Sequence, residues 1–159
     1  LGRGSTFHVH LPAASEPLAL PPHDMQAALM EAHGEHVVYL DDDETVMLVM
    51  TRILERAGYR CSGFLDASAA LASIKAEPAG VDVFITDYNM PGRSGLDVAR
   101  EAASLNPDLP IAISTGLITD ELRERARALG VSAVIEKENA FREIVPLVRR
   151  LLDRTGRGG

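Results

Sequence analysis

The chain has a single cysteine, no tryptophan and only 4% aromatic residues. One thiol cannot close an internal disulfide. Cys61, in the apolar-rich stretch Tyr59–Leu65, therefore reads as a buried structural thiol. With so few rings, aliphatic side chains must fill the core. No apolar run reaches the roughly 18 residues that a spanning helix requires, and the first residues lack the basic-then-apolar layout of a secretory signal. Basic residues are outnumbered, 16 against 23 acids, giving a net charge of −7. Non-specific binding to nucleic acid needs basic surface to displace counterions, so this balance argues against it. The expectation is a cytoplasmic setting with neither nucleic-acid nor membrane contact by this segment.

What is present is 46% hydrophobic residues in a chain of 159, enough to bury the core of one domain with an extension. Residues 1–34 hold Pro12, Pro17, Pro21 and Pro22, which fit an extended linker better than a regular element. A short helix over Asp24–Ala32 is compatible with Asp24 as cap. From His36 a regular cycle begins. The apolar run 37–40 precedes a helix over Thr45–Ala57, and 61–65 precedes one over Ala67–Ala76. The run 81–86 precedes a loop with Pro91 and Gly92 and then a helix from Ser94 to Leu105. Finally 110–115 precedes a helix over Asp120–Leu129, and 131–136 one over Ala140–Leu152. Five strand–helix units with strands apolar on both faces predict an α/β fold, a doubly wound five-stranded parallel sheet.

In such a sheet functional groups gather at the C-terminal ends of the strands. Those positions hold Asp41, Asp42 and Asp43, then Asp87, Thr115 and Lys137. Carboxylates brought to about 4 Å repel by on the order of 4 kcal/mol per pair at an effective dielectric near 20. Retained protons or a cation must relieve that repulsion. A hard ion such as Mg²⁺ suits one or two carboxylates together with phosphate oxygens. An aspartate beside it could attack phosphorus, with Lys137 neutralising phosphoryl oxygens and Thr115 bonding one of them. Taken singly, each residue has a plainer reading: Asp41–Glu44 as helix capping, Asp87 as a turn residue, Thr115 as a strand residue and Lys137 as a solvated surface lysine. Their joint placement favours the chemical reading.

The motifs VVYLDDDE (37–44), FITDYNMPGRSG (84–95), IAISTG (111–116) and VIEK (134–137) together resemble a response-regulator receiver domain, CheY-like, over residues 35–154. The resemblance implies a flavodoxin-like (βα)5 fold with strand order 2-1-3-4-5. It implies that Asp87 accepts a phosphoryl group, that Asp42, Asp87 and the Asn89 backbone carbonyl hold Mg²⁺, and that Asp41 holds a metal-bound water. Thr115 and Lys137 would stabilise and sense the phosphoryl group. A histidine kinase or histidine phosphotransfer protein would be the donor, and a homodimer is possible for such a domain. The domain would promote its own phosphorylation without being a turnover enzyme. Two positions depart from the pattern. Glu138 stands where the family has proline after the lysine, and a cis peptide before a residue other than proline costs about 2.5–4 kcal/mol, so a trans Lys137–Glu138 bond is expected. Val134 stands where the family has an aromatic switch residue. Gly116, lacking a side chain, should leave access to Asp87 open.

GRGSTFHVHLP (2–12) resembles the final strand region of a histidine-kinase ATP-binding domain. It implies a hybrid sensor kinase with residues 13–34 as linker and the receiver at its C-terminal end. Residues 155–159 read as a disordered tail, so no DNA-binding output is expected from this segment. Two rival functions remain. LDDDET (40–45) matches the nucleophile motif of haloacid-dehalogenase-like phosphatases, with Asp41 as nucleophile and Asp43 as acid, although Asp87 then has no purpose. A receiver-like interaction module that does not depend on phosphorylation is the other. The His33-x-x-His36 pair, without a soft ligand nearby, reads as solvated.

Overall fold

A computed structural model describes residues 34–156. The sequence expectations for 1–33, including the kinase-like segment, the helix at Asp24–Ala32 and His33, fall outside them. Five strands, β1 (His36–Leu40), β2 (Arg60–Phe64), β3 (Val83–Asp87), β4 (Ile111–Thr115) and β5 (Ala133–Glu136), alternate with five helices. These are α1 (Glu44–Arg56), α2 (Ala67–Ala76), α3 (Gly95–Leu105), α4 (Asp120–Ala128) and α5 (Lys137–Thr155). The sheet is parallel in the order 2-1-3-4-5, as the resemblance implied. The segment Asn89–Met90 pairs with Arg93–Ser94 in a small antiparallel hairpin after β3.

Strand alternation divides the core into two layers. Val38, Leu40, Phe84, Ile111 and Ile113 pack with α2, α3 and α4 on one face. Val37, Tyr39, Val83, Ile85, Ala112 and Ile135 pack with α1 and α5 on the other. Central strands β1, β3 and β4 are buried almost throughout, which is why they read as continuous apolar runs. Helix starts are set by side chains that accept orphan N–H groups: Asp43 for α1, Asp66 for α2, Ser94 for α3 and Thr119 for α4.

The C-terminal helix differs from expectation. It begins at Lys137, three residues before Ala140, and runs to Thr155, where Gly156 in left-handed conformation ends it. No residue in Lys137–Asn139 breaks a helix, and Pro146 is tolerated at an exposed position. The expected loop after β5 is thus absent, and Lys137 stands in the first helical turn. The Lys137–Glu138 peptide is trans, since no cis bond occurs among the described residues. His36 is not solvated: its ring meets the Gly80 carbonyl at 2.9 Å and the Ser62 hydroxyl at 2.8 Å, tying β1 to β2 and to the turn before β3.

Candidate functional site

The C-terminal ends of β1 and β3 lie side by side, and this brings Asp41 and Asp87 together. The backbone of Asp41 continues the sheet, its N–H donating to Phe64 O at 3.1 Å. Both carboxylates are buried, at 0% and 1% exposure, while Asp42 projects into solvent. Carboxylate oxygens of Asp41, Asp42 and Asp87 all lie within 4.8 Å of one another. Asp43 leaves the cluster: its Oδ1 accepts from the N–H groups of Thr45 and Val46 at 2.8 and 3.1 Å, capping α1. The phosphatase reading therefore loses the acid that it required.

Lys137 closes the pocket from the start of α5. Its ammonium stands 2.9 Å from Asp41 Oδ2 and 3.0 Å from Asp87 Oδ1. Neither oxygen has a well-aligned hydrogen bond, so the ammonium neutralises them by proximity. Burial pushes the Asp87 carboxyl above the ordinary carboxylate range; Lys137 opposes that rise and Asp41 reinforces it. Burial alone would weaken the Lys137 ammonium, but Asp41 and Asp87 outweigh it and hold the group above the usual lysine range. The lysine is charged because the acids need it.

Thr115 ends β4, and its hydroxyl is engaged with the loop that follows. Its hydroxyl donates to Leu117 O at 3.1 Å and accepts from Leu117 N–H at 3.3 Å, folding the loop back on itself. Asn89 sits exposed in the hairpin after Asp87. The hairpin is held against β3 by Gly95 N–H, which donates to Tyr88 O at 2.8 Å. Asp41, Asp42, Asp87 and Lys137 thus meet, Asn89 flanks them, and the Thr115 hydroxyl is engaged elsewhere. Val134 is half-buried against the α3–α4 side of the core. A groove of about 280 Å³ opens beside it between α4 and α5, bordered by Ile118, Glu136, Asn139 and Arg150.

Sequence reasoning missed the floor of the pocket. Tyr39 and Ser114 are buried beside the acids, and the Tyr39 phenol feels the charges of both Asp41 and Asp87. Strand alternation could have shown it, because Tyr39 shares a face of β1 with Asp41.

An all-oxygen donor set with two buried, poorly hydrogen-bonded carboxylate oxygens fits a hard dication. Among the described residues no helix is long and apolar enough to cross a membrane.

The family model for the response regulator receiver domain matches residues 37–149. The C4-dicarboxylate transport transcriptional regulatory protein DctD of Rhizobium meliloti is 36% identical over 114 residues, 72% of this chain but only 24% of that protein. The response regulator receiver protein CpdR of Brucella abortus is 27% identical over 118 residues, 74% of this chain and 97% of that protein. Among solved structures, a CheY-like receiver domain protein from Methanospirillum hungatei superposes with TM-score 0.73 at 24% identity, covering 79% of this chain and 99% of that one. With its acidic pocket of Asp41, Asp42 and Asp87, this chain belongs to the response regulator receiver domain family of two-component signalling.

Proposed function

We propose that the domain accepts a phosphoryl group on Asp87 from a phosphohistidine donor and changes conformation in response. The observation that carries this reading is the pairing of a buried carboxylate cluster with one bridging ammonium. Asp42, Asp87 and the Asn89 carbonyl would hold Mg²⁺ directly, with Asp41 reaching it through water. Bound there, the dication supplies positive charge against which the donor phosphoryl oxygens can approach the acids.

An Asp87 carboxylate oxygen attacks phosphorus, the phosphorus–nitrogen bond of phosphohistidine breaks, and the imidazole leaves with the bonding pair and takes a proton. The product is an acyl phosphate on Asp87. Lys137 already faces Asp87 Oδ1 at 3.0 Å and need move little to meet a phosphoryl oxygen. Thr115 must first give up its bonds to Leu117, and that exchange couples phosphorylation to the loop after β4. Acetyl phosphate with Mg²⁺ should label the wild-type chain and leave Asp87→Asn unlabelled. Labelling of that variant removes the acceptor assignment. A wild-type chain that takes no label from acetyl phosphate or from a phosphohistidine donor favours the phosphorylation-independent module. The hybrid-kinase context rests on GRGSTFHVHLP alone; a kinase core encoded upstream of Leu1 supports it, and a gene beginning there removes it.

A further inference from the structure

The acceptor strand ends at Asp87, and residues 89–94 form the hairpin that leads from it into α3. The base of that hairpin is pinned: Tyr88 N–H donates to Ser114 O and Gly95 N–H to Tyr88 O, each at 2.8 Å. Its own pairing is short, with Asn89 facing Ser94 and Met90 facing Arg93. A two-stranded hairpin by itself is marginally stable in water. The far pair, next to the turn at Pro91 and Gly92, therefore needs anchors outside the hairpin. Met90 supplies one by packing against the core on the side of α2, α3 and α4. Arg93 supplies another: its Nη2 donates to Glu101 Oε2 at 2.5 Å, in the second turn of α3. Arg93, Met90 and Asp42 border one recess of about 210 Å³, so this clamp stands beside the acids.

We propose that Arg93 is a positioning residue, whose ion pair with Glu101 fixes the hairpin so that the Asn89 carbonyl can serve Mg²⁺. This role rests on the reading that Asp42, Asp87 and that carbonyl hold the ion. Mg²⁺ demands near-ideal octahedral geometry, so a loosened hairpin lowers affinity even where the fold survives. The pair adds little to global stability, because its side chains are 38% and 51% exposed and exposed pairs contribute weakly. Its effect is local.

Charge and position make opposite predictions for Arg93→Gln. If charge alone mattered, removing a cation near the acids should tighten Mg²⁺ binding. Loss of the clamp should instead weaken it by about three- to fivefold, the most that an exposed ion pair transmits. Calorimetric titration of the full chain reads the sign. The charge-preserving exchange of Arg93→Glu with Glu101→Arg should recover most of the loss seen in either single reversal. Hydrogen exchange at the hairpin amides, measured without metal, should quicken in Arg93→Gln and slow again in the exchanged pair. An affinity that holds or rises, unaltered hydrogen exchange, or a double variant no better than the single reversals overturns the role of Arg93. A wild-type chain that binds no Mg²⁺ overturns instead the metal assignment, and hydrogen exchange then decides only whether Arg93 holds the hairpin.

Discussion

The ends of β1 and β3 and the ends of β4 and β5 contribute to one pocket but are built to different tolerances. Two glycines make the contrast concrete. A Cβ added at Gly95 would stand 2.3 Å from the Asp87 backbone oxygen and 2.9 Å from Tyr88 Cα. A Cβ added at Gly116 meets nothing within 4 Å. The first pair of strand ends is packed until backbone touches backbone, and there the acids are fixed. The second pair opens onto solvent and a groove, holds Thr115 by a self-contained turn, and carries Val134 and Glu138 where the family pattern has other residues. Acceptor chemistry demands a fixed geometry, whereas a response to phosphorylation demands a segment that can rearrange.

Gly95→Ala should break the tight half most severely. The obstructing atoms are backbone, so they cannot rotate aside, and overpacking of this kind costs about 3 kcal/mol. Urea denaturation should show the midpoint fall by a matching amount, with acetyl-phosphate labelling impaired in the folded fraction. An unchanged midpoint means that the hairpin is not pressed on the acceptor strand. Next come the acids themselves. Asp42→Ala should weaken Mg²⁺ binding by about 100-fold and Asp41→Ala by about 10-fold, because of these two acids Asp42 alone is assigned direct contact. Calorimetric titration reads both, and equal losses undo the ranking.

The tight half was also the legible half. β1 and β3 announce themselves as apolar runs ending in Asp41 and Asp87, and covalent continuity then places those acids at one edge. Sequence could also assign Asp43 to capping, since an acid just before a helix has that use. What failed depended on contacts between distant residues. The engagement of His36 with Gly80 and Ser62 joins three segments across the sheet. The early start of α5 puts Lys137 on a helix, and no local pattern distinguishes that from a loop when the flanking residues suit both. The place of Thr115 at a strand end was plain, but the partner of its hydroxyl was not, because which neighbour a threonine hydroxyl meets depends on its χ1 rotamer.

The loose half should tolerate what the tight half refuses. Val134→Phe places a ring beside the groove of about 280 Å³ between α4 and α5, so its effect on stability should stay within about 1 kcal/mol, below the range for overpacked cores. A larger loss means that the groove closes in solution.

Gly116→Ala should have the smallest effect, within about 0.5 kcal/mol, as for surface substitutions away from special features. Gly116 has no positive φ to protect, since the glycines in that conformation are Gly34, Gly58, Gly92, Gly130 and Gly156. A methyl group there meets open space, and the turn made by Thr115 and Leu117 uses no atom of its side chain. Stability and labelling should therefore part company if the methyl hinders the approach to Asp87. The urea midpoint stays fixed while the rate of labelling by the bulky phosphohistidine donor falls further than the rate with acetyl phosphate. A shifted midpoint would show instead that the loop after β4 is packed, and the contrast between the two pairs of strand ends would narrow accordingly.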